Sequence, residues 1–205
     1  MTSKVIYKFG INDADYPVQK FEVSPGNYGK PTRRQVWECP FYAKWRSMLR
    51  RVYSKFEHDR NPTYTDCTVC NEWLRFTNFK AWMETQDWEG KELDKDLLFH
   101  GNKVYDPSFC IFIDGAVNNF IIEREASRGE WPIGVYWNTY HKKFRANCAN
   151  PFIGKQEHLG YFSSATEAHQ AWLKRKLELA KLLAAEQDDP RVAKALVERY
   201  ENYQK

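Results

Sequence analysis

An α+β fold is predicted by three observations on this 205-residue chain. Apolar residues recur at three- and four-residue steps both early and late in the sequence, the spacing of amphipathic helices. Between those stretches lie short alternating or apolar runs separated by Gly/Asn bends, the pattern of hairpin strands. The order runs helices, a β-hairpin, a helix, three strands, then helices, so the strands are grouped rather than interleaved one by one with helices. The expected architecture is a largely helical module carrying a hairpin, followed by a small three-stranded antiparallel sheet packed on a helix.

Composition narrows the class. A hydrophobic content of 42% with eight tryptophans is enough for a core, and the length allows one large domain or two small ones. A formal net charge of +4 permits a nucleic-acid partner without requiring one. No run approaches the roughly 18 apolar residues of a membrane span, and "MTSKVIYKFG" lacks a signal-peptide core. Five cysteines are an odd number in a chain large enough to need no staples, which favours a reducing interior. A cytoplasmic protein is therefore expected, with no membrane partner and no obligatory protein partner.

Residues 1–38 are polar, with a Gly/Pro/Asn cluster at "SPGNYGKPTRR", and are expected to form an extended arm with strand potential at "KVIYKFG". In "YAKWRSMLRRVYSKF" the residues Tyr42, Trp45, Leu49, Val52 and Phe56 make one apolar helical face, opposite Lys44, Arg46, Arg50, Arg51 and Lys55. A second helix fits "EWLRFTNFKAWMETQ", with Leu74, Phe76, Phe79, Trp82 and Met83 facing the core. The period then changes: "ELDKDLLF", the bend "HGNK" and "SFCIFI" read as two short strands, and Asp114-Gly115 opens a helix through "AVNNFII". The polar stretch "EREASRGEWP" marks a boundary, giving a module over 39–125 and another over 131–205. In the latter, strands fit "IGVYWN", "KFRANCA" and "HLGYFS". A long helix follows, capped by Ser164 with Glu167 three residues on, and Asp189-Pro190 starts a last one.

Two places carry chemistry. In the hairpin, Asp94 and Asp96 sit two apart and share a strand face, with Lys95 on the other unless the strand bulges. A carboxylate there and an asparagine on the following helix can hold one divalent ion, and oxygen ligands of that kind suit Mg²⁺ or Mn²⁺. On the middle C-terminal strand, alternation puts Phe144, Ala146 and Cys148 on one face and Lys143, Arg145 and Asn147 on the other. The first set suits helix packing. The second is either a solvated face or a surface for the major groove, where Arg reads guanine and Asn reads adenine.

"GVYWNTYHKKFRANC" followed by "HLGYFSSATEAHQAW" resembles an AP2-type DNA-binding domain over roughly residues 131–183. The resemblance implies a sheet in the major groove supported by the helix. Tyr136, Asn138, Asn147 and His158 match the family's DNA-contacting positions, and Arg145 shares their expected face. Several of these positions are arginine or tryptophan in the plant members. The stretches "CPFYAKWRSMLRRVYS", "NPTYTDCTVCNEWLRFTNFKAWM", "LDKDLL", "GNKVYDPSFCIFI" and "VNNF" resemble the HNH (ββα-metal) endonucleases over about 39–120. The likeness is greatest to the phage-encoded ones that also carry an AP2-like domain.

That second resemblance implies a metal-dependent, homing-type DNA endonuclease acting on double-stranded DNA in the cytoplasm of a bacterial host. Asp94 matches the metal ligand of the first strand, Asn102 the asparagine that ties the hairpin loop, and Asn118 (before Asn119) the ligand on the helix. The family's general base is a histidine directly after the first motif residue, where this chain has Lys95. An unperturbed lysine is protonated at neutral pH and a poor base. It could bind phosphate instead, leaving Asp96 or His100 to activate water. The alternative is a sequence-specific DNA-binding protein whose nuclease fold no longer cleaves.

Cys67-X-X-Cys70 lacks a second ligand pair at comparable spacing, so buried thiols are expected there and no structural zinc. Arg46 and Arg50 on the basic helix face can follow a DNA backbone or simply be solvated.

Overall fold

The structure, a computed structural model, describes residues 4–25, 30–122 and 129–203. It belongs to the α+β class, with small sheets and helices. The chain divides into two compact units, Met1–Phe112 and Ile113–Lys205.

The first unit begins with strands β1 (Lys4–Ile6) and β2 (Gly10–Asn12), an antiparallel pair, then β3 (Gln19–Ser24) and β4 (Thr32–Glu38), a second antiparallel pair. This differs from the expected arm. The first hairpin is anchored because Gly10 lies against Trp45 and Leu49, where a Cβ would collide with the Leu49 side chain. The second is exposed over nearly its whole length, which is why no apolar alternation betrayed it. The cluster "SPGNYGKPTRR" spans the connection between β3 and β4, and its residues 26–29 lie outside the described ones.

Helix α1 (Pro40–Tyr53) has proline in its first turn and Arg50 and Arg51 in its last, both favourable at those ends. It buries Tyr42, Trp45, Met48, Leu49 and Val52. Ser54 then takes extended backbone (φ −93°, ψ 117°), and α2 (Lys55–Arg60) starts on a new axis. The expected apolar face therefore stops short, and Phe56 is 67% exposed rather than in the core.

The second expected helix is also shorter. A 3₁₀ turn (Glu72–Leu74) and an extended Arg75 precede α3 (Phe76–Met83). Its N-terminus is capped from far away in sequence: the Asp13 carboxylate accepts from Thr77 N–H (3.0 Å) and Thr77 Oγ1–H (2.9 Å) and pairs with Arg75. Burial alone would raise the Asp13 pKa, but those donors hold it below the usual value. Trp45, Trp73, Phe76, Phe79 and Met83 lie in one core with Tyr105 and Phe112, and Trp45 Nε1 donates to the Trp73 carbonyl (2.7 Å).

Strand β5 (Thr68–Val69) pairs in parallel with β7 (Val104–Tyr105), and β6 (Glu92–Asp94) pairs with β8 (Ile111–Ile113). "ELDKDLLF" is thus strand only up to Asp94.

In the second unit, α4 (Gly115–Ile121) packs with the C-terminal helices. Lys176 Nζ (2.7 Å) and Tyr200 OH (3.3 Å) donate to the Phe120 carbonyl, and Arg199 to that of Ile121. These are last-turn carbonyls with no partner inside the helix, and cations suit that end. The expected boundary stretch falls mostly on residues 123–128, outside the described ones. Beyond it, β9 (Val135–Asn138), β10 (Lys143–Asn150) and β11 (Lys155–Phe162) form an antiparallel sheet with β10 central.

Helix α5 (Ala165–Ala185) covers one face of that sheet, and α6 (Pro190–Glu201) packs on α5. Ser164 Oγ accepts from Glu167 N–H (3.2 Å) and Asp189 from Arg191 N–H (2.8 Å), the two expected caps. Val135, Ala146 and Ala168 are buried together with Phe144, Leu159 and Phe162 around them. No helix among the described residues is long and apolar enough to cross a membrane.

Candidate functional site

The strand β6 ends at Asp94 because its carboxylate turns the chain. Asp94 Oδ1 accepts from the backbone N–H of Asp96 (2.9 Å) and Leu97 (2.7 Å), an Asx-type turn that competes with the strand ladder. Asp96 therefore lies in the loop and not on a shared strand face. Lys95 is turned inward, 7% exposed, with its ammonium on Asp96 Oδ2 (3.2 Å) and the Asn102 carbonyl (3.0 Å).

Asn102 ties this loop. Its Nδ2 donates to the carbonyls of Lys95 (2.6 Å) and Val104 (2.8 Å), and its Oδ1 accepts from Val104 N–H (3.1 Å). His100 is exposed near the bend. Asp94, Lys95, Asp96 and Asn102 are thus brought into one small loop, whereas Asn118 belongs to the second unit, on α4.

Burial, and next the Asp96 carboxylate, raise the Asp94 pKa, outweighing the two backbone N–H donors and Lys95. Among the described residues Asp94 Oδ2 accepts no hydrogen bond, and a hard cation is what an uncompensated carboxylate oxygen favours. No group of three His, Cys, Asp or Glu converges on a metal position among the described residues. A Mg²⁺ or Mn²⁺ ion at Asp94 would keep several waters and take phosphate oxygens from a substrate, which is usual for these ions. Asp94 Oδ2 is one oxygen of the kind such an ion takes. Cys39, Cys67, Cys110 and Cys148 are buried free thiols, and burial pushes the Cys110 thiol up to about 12.

The basic face of α1 is largely engaged within its own unit. Arg46 pairs with Glu38 (3.0 Å) and Arg50 with Glu57 (3.3 Å), both guanidinium groups staying part-exposed. Lys44 donates to the Lys91 carbonyl and Arg51 to that of Leu93.

On the sheet, the face turned away from α5 carries Tyr136 and Asn138 of β9, Lys143, Arg145 and Asn147 of β10, and His158 of β11. Arg145 stands opposite Tyr136 on one side and Tyr161 on the other, and Lys143 opposite Asn138. Arg145 Nε donates to Asn147 Oδ1 (3.0 Å) and His158 Nδ1 (3.2 Å). Asn138 Oδ1 accepts from His141 N–H (2.8 Å), so it holds the β9–β10 turn.

Sequence reasoning missed Tyr161, Tyr140 and His141. A bulge between Ala146 and Asn147 on the β11 side leaves Leu159 as an extra residue. His158 and Tyr161, three apart, consequently share one face, with rings 4.9 Å apart. Strict alternation would have separated them; the signal was Gly160, whose φ of 136° suits glycine. The His141 ring lies 4.3 Å from Tyr161, and Tyr140 is 88% exposed beside it.

No family model, curated protein or solved structure matches the chain.

Proposed function

We propose that this protein binds double-stranded DNA through the outer face of β9–β11 and hydrolyses it at the 94–102 loop as a metal-dependent, HNH-like endonuclease. The observation that carries the proposal is the grouping of Arg145, Asn147 and His158 with exposed Tyr136 and Tyr161 on the sheet face turned away from α5. An aromatic, amide and guanidinium surface of one strand-triplet width fits a major groove, and Lys143 at its edge is suited to phosphate. The resemblance to AP2-like and HNH proteins supports the same reading.

In hydrolysis, Asp94 would hold a Mg²⁺ or Mn²⁺ ion; the ion would supply Lewis-acid polarisation of the phosphate. Asn102 keeps the loop closed. Lys95 contributes a positive charge that fixes Asp96 and does not accept a proton, because its ammonium is already donating to Asp96 and Asn102. The water proton passes to Asp96 or His100, the two basic groups of the loop.

One observation favours a second reading, a DNA-binding protein that does not cleave: the position after Asp94 holds an inward-turned ammonium instead of an imidazole. Fluorescence anisotropy of a labelled duplex in EDTA tests binding, comparing wild type with a Tyr136→Ala/Lys143→Ala double variant. Salt-sensitive binding weakened at least tenfold in the variant is expected. Equal affinity in both proteins, or none in either, would reject the interface. Metal-dependent nicking lost in Asp94→Ala separates the two readings.

A further inference from the structure

The outer sheet face contains one side chain whose direction is set by its neighbours rather than by solvent. Arg145 lies at the centre of β10, with Tyr136 across from it on β9 and Tyr161 on β11. Its Nε–H is shared between Asn147 Oδ1 (3.0 Å) and His158 Nδ1 (3.2 Å). A guanidinium is planar, so fixing Nε by two acceptors fixes the plane and the direction of both Nη groups. Among the described residues the Nη groups have no hydrogen-bond partner, although arginine side chains elsewhere in the same unit find carboxylates, as Arg175 does at Glu157 and Glu178. A cationic fork is held open at the centre of this face.

We infer that Arg145 is the base-selecting residue of this interface and that the base it selects is guanine. The inference rests on the duplex-binding reading above. Guanine alone presents two adjacent acceptors, O6 and N7, in the major groove. Adenine places an N6–H₂ donor where the second Nη–H would point, and thymine offers one acceptor beside a methyl group.

Asn147 takes a different part from the one its residue type suggests. Its Oδ1 is the acceptor an adenine contact would need for N6–H₂, and that atom is engaged by Arg145 Nε. Asn147 is therefore a positioning residue for Arg145, as is His158, whose Nδ1 lies 3.2 Å from Arg145 Nε and 3.4 Å from Asn147 Oδ1. The bulge at Leu159 has a role here too, since it keeps His158 on the face where Arg145 can reach it.

The test is selection of bound sites from a randomised duplex library in EDTA, using the full chain as wild type, Arg145→Ala, Arg145→Lys and Asn147→Ala. The expected wild-type site contains a guanine favoured roughly ten- to a hundredfold over other bases, the range of one bidentate contact. In Arg145→Ala that single position becomes degenerate while the neighbouring positions keep their preferences. Arg145→Lys, which keeps the charge and loses the fork, retains affinity better but still loses much of the guanine preference. Asn147→Ala lowers the same preference and leaves any adenine position unchanged, a pattern that general loss of structure would not give. Guanine preference intact in Arg145→Ala, or an adenine position lost in Asn147→Ala, overturns this inference while leaving duplex binding in place. Failure of wild type to retain any duplex overturns the binding reading itself, and this inference with it.

Discussion

Lys95 and Asn102 hold each other across the loop they bound. The Lys95 ammonium donates to the Asn102 carbonyl (3.0 Å), and the Asn102 side-chain amide donates back to the Lys95 carbonyl (2.6 Å). Because Asn102 also bonds both the N–H and C=O of Val104, one side chain closes the loop and fixes the start of β7. Asn102→Ala leaves these partly buried groups unpaired and is expected to destabilise the first unit by about 2–3 kcal/mol. Asn102→Asp keeps the shape and loses the donors, so it should cost nearly as much. Urea unfolding followed by tryptophan fluorescence gives both values.

Asp94 stands in a place that disfavours its charge, since burial and the Asp96 carboxylate raise its pKa. A carboxyl group whose folded pKa is raised stabilises the fold below its ordinary value, and that contribution is lost as pH rises through the folded pKa. At neutral pH the neutral isostere should therefore be at least as stable as wild type without metal. Asp94→Asn is expected to match or exceed the wild-type Tm in EDTA and to show no rise with Mg²⁺. Wild type should gain about 2.7 kcal/mol at a hundredfold excess of ion over Kd. Differential scanning calorimetry with and without metal reads both effects.

Acid stability of the second unit should depend on Glu157. Its oxygens accept from Arg175 (2.7 and 3.1 Å) and Asn150 (2.7 Å), joining β11 to α5 and to β10. The Arg175 hydrogen bonds, then that of Asn150, hold its pKa at about 2 against an ordinary 4.5. A depressed carboxylate contributes stability above the ordinary value and loses it as pH falls through the folded one. Wild type should accordingly weaken between about pH 4.5 and 2, and Glu157→Gln should be less stable by about 1 kcal/mol at pH 7, allowing for its partial exposure. The difference should vanish near pH 2, which urea midpoints along a pH series would reveal.

Gly134 has a φ of 80°, and a Cβ there would land in the Trp172 indole. Its carbonyl also accepts from Asn147 N–H (2.9 Å), so the backbone has no room to retreat from the sheet. Gly134→Ala is expected to cost about 2–4 kcal/mol, combining left-handed strain with overpacking. Gly154→Ala, at φ 64° with open space around it, carries the strain alone and should cost about 1 kcal/mol. Paired denaturation curves separate the two causes.

The C-terminal unit was legible because its signals are local. Period-two alternation around Phe144 and Ala146, the Ser164 and Asp189 caps and the apolar stripe through Trp172, Leu179 and Leu183 all act within a few residues. What escaped depends on contacts distant in sequence or on one side chain redirecting the backbone. Asp13 caps α3 from across the unit, Gly10 docks a hairpin on α1, and the Asp94 carboxylate ends a strand that its apolar neighbours would continue. Asn102 was legible as the loop tie through resemblance, whereas the inward turn of Lys95 follows from Asp96 and Asn102 acting together. Tyr161 was hidden by parity, because one extra residue in β11 reverses which face it occupies.

The most direct test of the account is a supercoiled-plasmid assay with Mg²⁺, Mn²⁺ or EDTA, comparing wild type, Asp94→Ala and Lys95→Ala. Open-circle or linear DNA is expected only from metal-supplied protein, with Asp94→Ala inactive and Lys95→Ala impaired through its loop. A wild-type protein that retards the plasmid yet leaves it supercoiled with either metal would contradict the nuclease reading and make this chain a DNA binder.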